Sequence, residues 1–144
     1  MNAPPSPVLG PTQLRVLALA LVGGPLVFAV IVAILRSDAV AESTLPAWFG
    51  TLSTGIELVL LAVACAVRAK LFARVASAPA GDRLRGYAAA TLVFFALLEG
   101  SMLLGVVGWL LLGSPVPTAV PAALAFAIAI ASLPSDAQFE SLKP

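Results

Sequence analysis

Charged residues in this chain fall almost entirely between long apolar blocks, and that spacing limits what the chain can become. Residues 16–35 carry no charge and are bracketed by Arg15 and Arg36. Residues 48–67 are apolar apart from Glu57 and a few small hydroxyls. Residues 87–112 hold only Glu99, and residues 117–133 hold no charge. About 20 apolar residues in a helix cross the hydrocarbon of a bilayer. Lipid offers backbone groups no partners, so such segments must pair them internally, as a helix does. The blocks therefore predict an all-α fold: an integral membrane four-helix protein with short loops. Pro121 falls in the first turn of the last block, where its missing N–H costs little.

Composition agrees with this class. The chain is 60% hydrophobic and 10% charged, whereas soluble domains carry about 25% charged residues. A formal net charge of +1 gives no footprint for nucleic acid. Histidine is absent and Cys65 is the sole cysteine, so an internal disulfide is excluded and a common zinc or haem site is not expected. No cofactor or metal is predicted. Cys65 lies in an apolar stretch and reads as a small buried thiol.

The Pro-rich, uncharged start "MNAPPSPVLGPTQ" reads as a disordered segment over residues 1–14. It lacks the basic start and cleavage site of a secretory signal, so the first apolar block is expected to stay as a membrane anchor. Residues 15–134 then form the membrane domain, with spans near 16–35, 48–67, 87–112 and 117–133, and residues 135–144 form a tail.

Orientation follows from basic residues. Arg68, Lys70, Arg74, Arg83 and Arg85 sit between the second and third blocks, and Arg15 and Lys143 lie near the ends. Only Arg36 falls in the opposite loop, with Asp38 and Glu42. Basic residues stay cytoplasmic, which predicts both termini inside, in a bacterial-type inner membrane. The basic loop is read as a topology signal; the alternative is a docking surface for a soluble partner or anionic lipid. Trp48 and Trp109 fall near the outer interface, as aromatic belts do.

Two segments echo each other. "ALVGGPLVFAVIV" (Ala20 to Val32) and "ALLEGSMLLGVVG" (Ala96 to Gly108) align without gaps, and both helices run from inside to outside. A parallel repeat would do this, as would the Ala, Leu, Val and Gly bias of such sequences. In this alignment Gly23 stands where the later copy has Glu99.

Glu99 is the leading candidate site residue. It lies about 20 Å beyond Arg85 at 1.5 Å per residue, too deep for its short side chain to reach the interface. Desolvation disfavours its charged form, so the neutral acid is accessible and proton exchange becomes possible. An ionisable residue at that depth is a functional candidate by default. Glu57 is equidistant from Ala78 across the basic hairpin and is expected at similar depth, where the two carboxyls could share a proton or cation. Ser53 and Thr54 lie on the helical face of Glu57. The structural alternative for each Glu is a hydrogen bond to a neighbouring helix. Ser101, Gly105 and Gly108 cluster on one face of the third helix, a small-residue surface for close helix packing. Glu99 falls on the opposite side, with Leu92, Phe95 and Val106. Pro25 leaves the Leu21 carbonyl free and predicts a kink in the first helix.

The stretch from the basic loop through the third block resembles the c subunit of rotary F-type ATP synthases. That family joins two helices by a polar, proline-containing cytoplasmic loop with a basic "RG" step. A helix of the form E-A-x-x-[IL]-[YF]-G-L-V follows. Pro79, Arg85, Gly86, Glu99, Leu103, Gly105, Val106 and Val107 fall on the pattern, and the resemblance covers roughly a quarter of the chain. It implies that Glu99 carries the ion and that the loop faces the cytoplasm. The second block, with bulky leucines and Gly55, differs from the glycine array of the family's first helix. The expectation is a c-subunit-like ion-translocation component with Glu99, assisted by Glu57, as proton site. Its partners would be the bilayer and either further copies or other membrane subunits. The alternative is a structural or accessory subunit of a larger membrane complex. No nucleophile–base pair or metal constellation points to an enzyme.

Overall fold

The computed structural model describes residues 9–37, 45–46 and 48–142. These residues form helices and no strands: α1 (Pro11–Ser37), α2 (Trp48–Ser77), α3 (Ala80–Leu112), α4 (Ala119–Ala131) and α5 (Asp136–Glu140). By length and composition, α1 and residues Gly81–Leu112 of α3 could each cross a membrane, and α4 is a shorter apolar helix. Asp38, Glu42 and Lys143 lie outside the described residues.

α3 is the axis of the bundle. Half of its most apolar window is buried, against 22% for α1, because α1, α2 and α4 all pack on α3. The buried residues of α1 recur every three or four positions as Leu14, Ala18, Val22 and Pro25. In α2 they are Gly50, Ser53, Glu57, Leu61 and Ala64. That spacing is one face of a helix. The stripes meet Phe94, Phe95, Leu98 and Met102 of α3, and Ala125 and Ala129 of α4 close the cluster. Cys65 is exposed, contrary to the expected buried thiol, because it stands one position past the buried stripe at Ala64.

α1 and α3 run parallel. Leu14 packs with Tyr87, Ala88 and Ala90 at one end, and Arg36 donates a hydrogen bond to the Leu110 carbonyl at the other. The same end that holds Leu14 also holds Val75, near the end of α2, and Phe139 of α5. The start of α1, the α2–α3 turn and the final helix therefore converge.

Helix ends differ from the apolar blocks. Residues 11–14 are helical rather than disordered; Pro11 suits a first helical position, and Leu14 is fully buried. Residues 1–8 of the expected disordered segment lie outside the described residues. α2 continues to Ser77 and α3 begins at Ala80, because charged residues are compatible with helix; Pro79, extended at ψ 147°, is the break. α4 is shorter than block 117–133. Two prolines, Pro115 and Pro117, precede it, and Pro134 follows Leu133, disfavouring further helix there. The tail 135–144 contains α5, which opens with a capping box between Ser135 and Gln138. α3 ends at Gly113, whose φ of 73° needs glycine and whose N–H caps the Trp109 carbonyl at 3.0 Å.

Candidate functional site

The two candidate carboxyls sit on different sides of α3. Glu57 projects from α2 into the seam with α3 and α4 and is 0% exposed. Ser53, one turn earlier, donates a hydrogen bond to Glu57 Oε1 at 3.3 Å. Ser101 of α3, also fully buried, donates to the main-chain carbonyl of Glu57 at 3.3 Å. Among the described residues Glu57 Oε2 has no hydrogen-bond partner, and neither does Thr54 Oγ1 a turn before it. Glu57 also has no ion pair among the described residues.

Glycine makes this seam possible. A Cβ on Gly105 would stand 2.6 Å from the Ala122 Cβ, 3.1 Å from Glu57 Oε2 and 3.1 Å from the Thr118 carbonyl oxygen. A Cβ on Gly108 would stand 2.8 Å from Thr118 Cγ2 and 3.2 Å from Ser53 Oγ. Ser101, Gly105 and Gly108 thus face both α2 and α4, and the carboxyl occupies the space that side chains there would fill.

Glu99 is half-buried and belongs to the other seam. Its Oε1 lies 3.7 Å from where a Cβ on Gly24 of α1 would be, an ordinary van der Waals distance. The structure does not bring the two carboxyls together, because the seams that hold them open on different faces of α3. Their depths differ as well. Glu57 is level with Ser101 and Gly105, and Gly50 is level with Leu112. Glu57 therefore stands about one turn farther than Glu99 from the hairpin, rather than at equal depth.

Beyond Glu99, an apolar cavity of about 250 Å³ lies between Pro25 and Ala29 of α1, Met102 and Val106 of α3, and Ala123 and Phe126 of α4. No group of three or more His, Cys, Asp or Glu side chains able to hold a metal forms among the described residues. Sequence reading ranked Glu99 above Glu57. The signal for Glu57 was present in the stripe of Gly50, Ser53, Leu61 and Ala64 around it, which marks its face as the packed one.

No family model, curated protein or solved structure matches the chain.

Proposed function

We propose that this chain is a four-helix integral protein of a bacterial-type inner membrane and works as a c-subunit-like ion-translocation component. Glu99, the carboxyl on the c-subunit-like pattern, and Glu57, the enclosed one, are its two proton sites. Both termini and the basic hairpin face the cytoplasm. The observation that carries the reading is Glu57 itself: a fully buried carboxyl with one oxygen unpartnered and no cation beside it. A lone buried carboxylate costs several kcal/mol or more, so the packing accommodates the protonated acid. Exchange of that proton is the step such a component needs.

The membrane part draws support from the surface. Val27, Val30, Ile34 and Leu35 of α1 and Leu58 and Val59 of α2 are all more than 40% exposed, which suits helices bathed in lipid. The orientation draws support from the gathering of Arg15, the α2–α3 turn and α5 at one end, with Arg36 at the other.

A hydrophobic carbodiimide tests the proton role, because it modifies protonated carboxyls in apolar surroundings. Modification that falls as pH rises, and is reduced in Glu57→Gln or Glu99→Gln, is the expected result. Absence of modification at both positions, or labelling independent of pH, would remove the proton role. The accessory-subunit reading is favoured by one feature. The outer face of α2 from Trp48 through Leu52 and Gly55 to Val59 is an open apolar recess, a shape that another subunit's helix fits. On a native gel, a large homo-oligomer favours translocation and co-migration with other subunits favours the accessory role.

A further inference from the structure

Most arginines of the basic end are already engaged within the chain. Arg15 pairs with Asp136 at 3.3 Å. The Arg68 guanidinium donates to the Ser132 hydroxyl and lies 4.6 Å from the centre of the Phe94 ring. Arg83 donates to the Ala78 carbonyl at 2.9 Å and so closes the α2–α3 turn. A topology signal alone does not distinguish among these positions, yet the fold uses three of them as internal braces.

Arg74 is different. Its side chain is exposed and has no acceptor among the described residues. It lines a groove of about 520 Å³ between α2 and α3, together with Arg85 and Asp82 at the polar end. Val75 forms the floor of the groove and is 7% exposed. Gly86 lets the helices close over it, since a Cβ there would stand 3.1 Å from Val75 Cγ2. From Gly86 the groove runs along Ala89 to Val93. Arg85 to Val93 covers about 12 Å of helix, a large part of the roughly 15 Å depth of one hydrocarbon leaflet.

We propose that this groove holds an anionic phospholipid of the cytoplasmic leaflet, its phosphate at Arg74 and Arg85 and the upper part of an acyl chain over Ala89 and Val93. Two features select this occupant. Two arginines against one aspartate leave a net positive charge at the polar end, complementary to a phosphodiester. The apolar remainder points away from that end along the helices, as an acyl chain does below its headgroup. Basic pockets between membrane helices at the cytoplasmic side are a recurrent form of headgroup site. The inference rests on the membrane reading given under Proposed function.

The test uses the full chain purified in mild detergent, with retained phosphatidylglycerol and phosphatidylcholine compared by native mass spectrometry. Phosphatidylglycerol should be retained preferentially. Arg74→Gln should weaken its retention about fivefold, the scale of one basic residue near an anionic surface. Ala89→Phe, at an exposed position, should abolish the preference by filling the groove while leaving every charge in place. Lys70→Gln removes a charge of the same helix, α2, outside the groove and should change retention less than twofold. Equal retention of both lipids would overturn the proposal, as would Ala89→Phe behaving as wild type or Lys70→Gln matching Arg74→Gln. Loss of a co-purifying acidic protein in Arg74→Gln, with lipid retention unchanged, would also overturn it. Alkaline carbonate washing of membranes separates the two readings. A chain that washes off contradicts the membrane reading and the lipid site together; an embedded chain without lipid preference contradicts the lipid site alone.

Discussion

The two seams of α3 hold one glutamate each and treat it differently. On the α2–α4 side, Gly105 and Gly108 bring three helices so close that Glu57 is wholly enclosed. On the α1 side, Gly24 leaves ordinary van der Waals room beside Glu99, which stays half-buried. Both carboxyls interrupt apolar blocks, so hydropathy does not separate them. What separates them is how many helices close over each. Enclosure by a third helix turns a polar interruption into a site cut off from its surroundings.

Gly105→Leu attacks the enclosure directly and should have the largest effect. A side chain there meets the Ala122 Cβ at 2.6 Å, and overpacking of this kind costs about 1–3 kcal/mol or more. Gly100→Leu has nothing within 4 Å of its Cβ position, and should leave the midpoint of thermal unfolding in detergent unchanged. If both variants unfold at the same temperature, the seam is not tightly packed.

Removing each carboxyl sharpens the comparison further. Glu57→Ala empties a closed site and should cost about 2 kcal/mol or more, in the range of large-to-small core changes. Glu99→Ala, at a partly open seam, should cost well under half of that. Glu57→Gln keeps the shape and an acceptor for the Ser53 hydroxyl but cannot ionise, so it should unfold close to wild type. A Glu99→Ala variant less stable than Glu57→Ala would reverse the ranking of the two seams.

Smaller effects follow from the groups around Glu57. Ser53→Ala removes the donor to Oε1 and should cost about 1 kcal/mol, the usual net worth of one hydrogen bond. Gly24→Ala should change stability by about 0.5 kcal/mol at most, since its Cβ would meet Glu99 Oε1 at 3.7 Å, an uncrowded distance. Equilibrium unfolding of the pair measures both.

Much of the bundle was legible in the sequence because hydropathy and charge are local. The end of the third block at Leu112 and the small-residue face at Ser101, Gly105 and Gly108 can each be read from a few residues, whereas the break at Pro79 stands inside what reads as one loop. The relative standing of Glu57 and Glu99 could not. It depends on which side of α3 the short helix α4 packs, and that choice is made by contacts between Thr118, Ala122 and glycines far apart in the chain. The turn also misled: symmetry about Ala78 placed the carboxyls level, whereas the packing register sets Glu57 against Ser101 and Gly105. Docking of α5 was hidden for a similar reason, since Phe139 finds its partners at Leu14 and Tyr87 through tertiary contact alone.

Infrared difference spectroscopy of the wild-type chain against Glu57→Gln, in lipid at neutral pH, tests most directly whether residue 57 is sealed from solvent as an acid. A protonated-carboxyl band present in wild type, missing from the variant and slow to shift on transfer to heavy water is the expected result. A carboxylate band in its place, or a band that shifts at once in heavy water, would contradict an enclosed proton site between α2, α3 and α4.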